Sequence, residues 1–133
     1  MSGLVLKLSP KERILINGAV IENGDRRSRL SIVTKDANIL RLRDAIHPDE
    51  ATTPVRRLCY AVQLVLSGDT AEETARTDIL RRIEELSQVF LDPDSRTTLS
   101  KASGAFVKGD VYLCLKTLRL LIPREDRLLA RRA

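Results

Sequence analysis

Hydrophobic and polar residues follow two different patterns along this 133-residue chain. In the first third, short apolar runs alternate with turn signals such as Asn-Gly, which is typical of a meander of about five short strands. From Thr53 onward the apolar residues recur every three or four positions, as on one face of a helix. We therefore predict an α+β protein, with a small N-terminal antiparallel β-sheet in residues 1–47 and a four-helix C-terminal bundle in residues 48–133, which can pack as one compact unit.

Capping residues place the starts of the four predicted helices. The caps are Thr53 before Pro54, Thr70 paired with Glu73 as a capping box, Asp92 before Pro93, and Asp110. Such residues accept hydrogen bonds from the free amides of a first helical turn. The fourth helix, VYLCLKTLRLLI, is apolar on most sides and should be central in the bundle. Residues 124–133 are open to two interpretations, a short amphipathic helix or a frayed tail.

Two Asn-Gly pairs, at residues 17–18 and 23–24, mark turns between predicted strands. The first suits a type I′ hairpin turn, because Asn and Gly readily adopt the positive φ angles that this turn requires. The second precedes RSRLSIV, residues 27–33. In that segment the apolar residues alternate with polar ones, so Arg27 and Arg29 should lie on the exposed face of a strand.

A hairpin between RSRLSIV and NILRLR, residues 38–43, would bring more arginines to this face. The resulting pairs are Leu30 with Leu42, Ile32 with Leu40, Arg29 with Arg43, and Arg41 with Ser31. Like charges that oppose each other across a ladder are mildly destabilising. The pattern therefore favours either a phosphate-binding surface or a solvated face balanced by acidic neighbours, which are Asp25, Asp36 and Asp44.

A second basic patch lies at the start of the first predicted helix. Arg56 and Tyr60 share one helix face, and Arg57 is adjacent to the helix N-terminus, whose free amides attract phosphate. The patch is either a ligand site or an edge that docks onto the sheet. Tyr60 is also the first aromatic residue of the chain, because residues 1–59 contain no Phe, Tyr or Trp.

Composition and motifs narrow the function classes. The net charge is +5, and residues 1–47 hold nine Lys or Arg against five Asp or Glu, which suits an anionic partner. No metalloprotease, hydrolase or nucleotide-binding spacing occurs, so we expect no enzyme activity, no cofactor and no metal site. We interpret His47, the single histidine, as a loop residue, and Cys59 and Cys114 as buried free thiols. No signal peptide or membrane span is evident, so we expect a cytoplasmic protein that does not enter the membrane.

Two longer segments resemble a known family. The stretches INGAVIENGDRR, residues 16–27, and RLRDAIHPDEATTPVRRLCYAVQ, residues 41–63, are similar to the FlbT family of flagellin-expression regulators. The resemblance implies a cytoplasmic post-transcriptional regulator that binds the 5′ untranslated region of flagellin mRNA, lowers its translation and promotes its decay. It also implies a FlaF-type flagellin-associated protein as a partner and no catalytic residues. Some relatives act positively, so the resemblance leaves the sign of regulation open.

The candidate RNA-binding residues come from the family resemblance and from the strand geometry. Arg26, Arg27, Arg56 and Arg57 fall in the segments that resemble the family, Arg29, Arg41 and Arg43 follow from the strand geometry, and Tyr60 is the nearest aromatic residue. The alternative is a protein-interaction module that acts through the FlaF-type protein or flagellin without touching RNA. Exposed edges of a small sheet could also pair with a second copy, which predicts a homodimer.

Overall fold

The chain folds into two compact units. The computed structural model describes residues 4–17, 19–35, 37, 39–43 and 45–131. A sheet unit comprises Met1–Ala45 with Ser67–Asp69, and a helical unit comprises Ile46–Leu66 with Thr70–Ala133. Strands precede helices along the chain, so the predicted α+β class is confirmed.

The described residues of the sheet unit form two small antiparallel sheets instead of one. Its strands are β1 (Leu4–Leu8), β2 (Arg13–Ile16), β3 (Ala19–Glu22), β4 (Ser28–Ile32) and β5 (Ile39–Leu40). One sheet pairs β1 with β4, and the other has the order β3-β2-β5. Leu6 and Leu8 of β1 and Ile14 of β2 form a buried cluster, and partly buried Leu30 of β4 packs against it. The two sheets therefore share one apolar core.

The predicted hairpin between the fourth and fifth strands is wrong. β4 pairs with β1, where Lys7 lies opposite Arg29, and β5 pairs with β2, where Leu15 lies opposite Leu40. The prediction joined strands that are neighbours in the sequence. The observed pairing instead places Leu30 in the cluster shared by both sheets, so burial of apolar surface outweighs the shorter loop.

The first Asn-Gly turn is confirmed as a hairpin. Ile16 pairs with Ala19 across β2 and β3, which leaves a two-residue loop. Asn17 has a φ of 49°, the positive value that a type I′ turn needs at its first central residue. Gly18, the second residue of the loop, lies outside the described residues.

The helical unit begins with a short 3-10 helix and continues with five α-helices in its described part. The bounds are Pro48–Glu50 for the 3-10 helix, then α1 (Pro54–Leu66), α2 (Glu72–Ser87), α3 (Pro93–Val107), α4 (Val111–Arg119) and α5 (Ile122–Ala130). The fourth predicted helix thus stops earlier than expected, and the C-terminal segment is helical. Within the described part of the chain, each helix is too short or too polar to span a lipid bilayer.

Most of the predicted caps are confirmed. The side chains of Thr53, Asp92 and Asp110 accept hydrogen bonds from the backbone amides of Arg56, Ser95 and Leu113, at 3.2, 3.0 and 3.1 Å. The capping box at Thr70 is wrong, because α2 begins after Ala71 without a side-chain cap. His47 caps the 3-10 helix, where its Nδ1 accepts a hydrogen bond from the Asp49 amide at 3.1 Å.

Cys59, Cys114 and Gln63 are buried side chains of the helical unit. Cys59 of α1 and Cys114 of α4 are buried free thiols, as predicted, and burial raises the pKa of each to about 12. Gln63 is also buried. Its side-chain amide accepts from the Ile46 N–H at 2.8 Å and donates to the Ile46 carbonyl at 2.9 Å, so it fixes the start of this unit to α1.

Candidate nucleic-acid interface

Three cations lie close together at the β1–β4 sheet. Lys7 of β1 lies directly opposite Arg29 of β4, and Arg27, the residue before β4, lines the same cavity. All three side chains are exposed. They line an open cavity of about 440 Å³ together with Leu8, Ser9 and Ser28. We call Lys7, Arg27 and Arg29 the basic sheet face.

The charge of the basic sheet face is not neutralised within the part of the chain that the structure describes. There, no carboxylate lies within ion-pair distance of Lys7, Arg27 or Arg29. Asp25, one of the acidic neighbours considered above, pairs instead with Lys11 at 2.9 Å. Asp36 and Asp44 lie outside the described residues. Because opposed like charges destabilise a ladder, an anion bound between Lys7 and Arg29 would relieve their repulsion.

Asn23 fixes the chain that leads into β4. Its Nδ2 donates to the carbonyl oxygens of Ser9 and Arg26 at 2.7 and 2.9 Å, and its Oδ1 accepts from the Ser28 hydroxyl at 2.7 Å. The side chain thus ties the end of β1 to the beginning of β4. The second Asn-Gly pair therefore does more than turn the chain, because Asn23 holds the residues on either side of Arg27.

The buried carboxylate of Glu12 supports β1 through Arg41. Glu12 accepts from Arg41 Nε at 2.9 Å and from the Ser9 amide at 2.8 Å, and Arg41 Nη2 donates to the Lys7 carbonyl at 2.5 Å. The hydrogen bonds from the Arg41 guanidinium are the main reason that the pKa of Glu12 is lowered to about 2. We call this pair the Glu12–Arg41 clamp. Arg41 serves here as a support for Lys7, with its charge balanced by Glu12.

The remaining predicted arginines of the sheet unit lie outside the ladder. Arg26 is exposed beside Arg27, and its carbonyl is held by Asn23. Arg43 is exposed beyond the end of β5. The predicted pairs Arg29 with Arg43 and Arg41 with Ser31 do not form, because Arg29 pairs with Lys7 and Ser31 pairs with Val5.

The start of α1 is closed by carboxylates of α5. Glu125, which is buried, accepts from the Val55 amide at 2.9 Å. Asp126 accepts from both Nη atoms of Arg56, at 2.7 and 3.0 Å, and these bonds raise the pKa of Arg56. The next two amides donate to Thr53, so the chain's own oxygens occupy the first turn of α1.

Arg57 and Tyr60 complete the predicted set and do not join the other candidates. Arg57 is exposed and lines a cavity of about 280 Å³ with residues of α2, whereas Tyr60 is half-buried in α1. Of the eight candidates, the structure thus brings Arg27 and Arg29 to one cavity. The third cation there, Lys7, was not predicted. The alternation in LVLKL carries the signal, since Lys7 falls between the buried Leu6 and Leu8.

Fold and site together define a small two-unit α+β protein with an exposed cationic sheet face, which suits an anionic ligand. Comparison with protein families identifies the class more specifically. The family described as "Flagellar protein FlbT" matches residues 4–129. The chain belongs to the FlbT family, and the resemblance found in the sequence is confirmed.

Curated relatives match over nearly the whole chain. One from Rhodopseudomonas palustris (strain TIE-1) is 38% identical and covers 96% of this chain and 98% of its own, and one from Caulobacter sp. (strain K31) is 36% identical, covering 93% and 94%. Both are named "Probable flagellum biosynthesis repressor protein FlbT". A relative from Caulobacter vibrioides, 32% identical over 92% of this chain and 86% of its own, is named "Flagellum biosynthesis repressor protein FlbT". No solved structure gives a significant match.

Proposed function

We propose that this protein is a cytoplasmic repressor of flagellum biosynthesis that binds the 5′ untranslated region of flagellin mRNA through the basic sheet face. The names of its relatives support the repressor role. The observation that supports RNA as the ligand is the exposed set of Lys7, Arg27 and Arg29, which has no carboxylate partner among the described residues. Occupation of the leader would hinder ribosomes and expose the message to nucleases, which lowers translation and promotes decay.

The basic sheet face is suited to phosphates more than to bases. Lys7 and Arg29 lie on strands, and Arg27 directly precedes β4. Asn23 and the Glu12–Arg41 clamp bond the backbone around these residues, so the backbone that carries the cations is fixed before a ligand arrives. Single-stranded RNA readers commonly stack bases on aromatic rings. Residues 1–59 contain none. Backbone contacts should therefore dominate, with arginine planes as the available stacking surfaces.

Salt-dependent binding of a flagellin leader RNA tests this proposal. The double variant Lys7→Gln/Arg29→Gln should weaken binding and flatten the plot of log affinity against log salt by about 0.7 for each phosphate that the protein no longer neutralises. Lys101→Gln/Arg96→Gln is the matched control, since it removes the same charges from exposed positions of α3. An unchanged salt slope in the first variant, or equal weakening in both, would contradict the basic sheet face as the RNA site.

A second candidate function is a protein-interaction module that acts through a FlaF-type protein or flagellin without RNA contact. The absence of aromatic residues from the first 59 positions favours it. A gel shift separates the two candidates, with the folded protein, a flagellin leader and an unrelated leader at low salt. A shift specific to the flagellin leader supports RNA binding. No shift supports the protein-interaction module.

A further inference from the structure

Three large apolar side chains are exposed on the outward face of α4 and at its C-cap, Leu120. Tyr112, Leu113 and Leu120 are 47%, 36% and 70% exposed, although the opposite side of the helix, with Cys114 and Leu118, is fully buried. Monomeric proteins seldom leave large apolar side chains together in water without a partner to cover them. A helix that is apolar on all sides is normally enclosed. This face therefore has the composition of a contact surface.

These side chains form one stripe, in which Lys116 is the exposed charge; half-buried Arg119 borders it, seven residues after Tyr112. Leu113 and Leu120 are seven residues apart, close to two helical turns, so they point in nearly the same direction. Lys116 lies between them along the helix, and its Nζ is 5.4 Å from the centre of the Tyr112 ring. We call Tyr112, Leu113, Lys116 and Leu120 the α4 outer face. Lys116 is its charged member, held over the aromatic ring by cation–π attraction.

The position of Lys116 argues against a second copy of the chain as the occupant. In a symmetric antiparallel pairing of two such stripes, Leu113 of one copy would meet Leu120 of the other. Lys116 lies near the midpoint between these leucines, so the two ammonium groups would meet close to the two-fold axis. Like charges in such a contact repel each other. A carboxylate at this point would instead be attracted.

We propose that the α4 outer face binds an amphipathic helix of a different protein, with an apolar stripe against Tyr112, Leu113 and Leu120 and an aspartate or glutamate opposite Lys116. This surface belongs to the helical unit and is independent of the RNA-binding role proposed for the basic sheet face. The partner helix supplies the apolar cover, and its carboxylate sets the register along α4.

Site-specific photocrosslinking in the cells that make the protein tests this proposal. A benzophenone amino acid at position 120 should crosslink to another protein, through a segment that carries an acidic residue among apolar ones. The matched control is the same residue at position 91, because Leu91 is 68% exposed but distant in sequence from α4. We expect at least fivefold more product from position 120. Equal yields, a crosslink to a second copy, or a crosslink to nucleic acid would overturn the proposal.

A charge exchange between the purified partners completes the test. Lys116→Glu should weaken the complex by about tenfold or more, and lysine in place of the partner's acidic residue should restore it. Lys116 is exposed, so the exchange leaves the core of the helical unit intact, which circular dichroism would check. Weakening without rescue, or no weakening at all, would overturn the assignment of the acidic contact.

Discussion

The basic sheet face and the start of α1 look alike in the sequence and differ in the structure. Each presents two or more nearby arginines or lysines, and the arginines of both regions were candidate anion-binding residues. On the sheet, Lys7 and Arg29 face each other with no carboxylate partner among the residues described. At the start of α1, Asp126 holds Arg56 and Glu125 holds the Val55 amide. At this helix start, carboxylates of the chain itself therefore take the place of an external anion.

The difference shows that clustered cations and a helix N-terminus are insufficient to predict a phosphate site. Glu125 follows Val55 by seventy residues, so no local pattern around α1 reveals the contact. A cation cluster stays available to an external anion only if no carboxylate from a distant segment of the chain pairs with it. The basic sheet face remains available because Asp25 and Glu12, its acidic neighbours in the described part of the sheet unit, are paired with Lys11 and Arg41.

The largest expected loss of stability comes from replacing Glu125, which accepts a hydrogen bond at the start of α1. Glu125→Ala leaves the buried Val55 amide without an acceptor and opens a cavity, so the free energy of unfolding should fall by about 3 kcal/mol. Urea denaturation would measure it. The control Glu85→Ala removes an exposed carboxylate that pairs with Arg81 and should cost about 0.5 kcal/mol or less.

Inorganic phosphate sharpens the same comparison. If Glu125 stands where an anion would otherwise bind, phosphate should recover part of the stability that Glu125→Ala removes, because it binds only the folded state. The Glu85→Ala variant should show no such recovery. Equal destabilisation of the two variants would mean that Glu125 does not close this helix start.

The neighbouring residues Arg56 and Arg57 should differ in how much stability the protein loses when each is replaced by alanine, by less than the two glutamate variants differ. Arg56→Ala removes a two-bond ion pair with exposed Asp126 and a countercharge 3.9 Å from buried Glu125, so we expect the free energy of unfolding to fall by about 1 kcal/mol. Arg57 has no ion pair among the described residues, and Arg57→Ala should change stability by about 0.5 kcal/mol at most. Thermal or urea unfolding of both variants checks this, and similar destabilisation of the two would contradict the separation.

The smallest expected change in stability occurs only at acidic pH and comes from the Glu12–Arg41 clamp. The folded-state pKa of Glu12 is about 2, below its usual 4.5. Its contribution to stability is therefore complete above about pH 4.5 and disappears as the pH falls toward 2. In Arg41→Gln the pKa should rise, so stability should change less over this range.

Arg43→Gln provides the matched control for the acid measurement. It removes the same charge from an exposed position two residues away, and Arg43 contributes least to the pKa of Glu12. Urea denaturation across this pH range should give the control a steep acid dependence and Arg41→Gln a shallow one. Equally steep curves would show that Arg41 does not set the pKa of Glu12.

The sequence predictions were mostly accurate where the interacting residues are close in the sequence and less accurate where they are far apart. Thr53, Asp92 and Asp110 were correctly placed as caps because each bonds an amide three residues away. The capping box at Thr70 was wrong although it is local, since the structure starts α2 after Ala71, one residue later than that pattern requires. The α+β class followed from the change in hydrophobic period, which sums many weak signals.

Strand pairing was predicted less well because it depends on contacts that are far apart in the sequence. The apolar alternation of β4 correctly showed which residues face inward, but it did not identify β1 as the partner strand. Asn23 illustrates the same limit. Its Asn-Gly context indicates a turn, whereas its bonds to Ser9 and Ser28 form only when two separate strands meet.

The opposition of Lys7 and Arg29 has a consequence for engineering this protein. A library selected for thermal stability should favour neutral residues at either position, because each removes a repulsion from the β1–β4 ladder. The same replacements would lower the affinity for anions. Stability and anion affinity are thus expected to oppose each other at these two positions, and a thermostable variant would be a poor starting point for testing the proposed RNA binding.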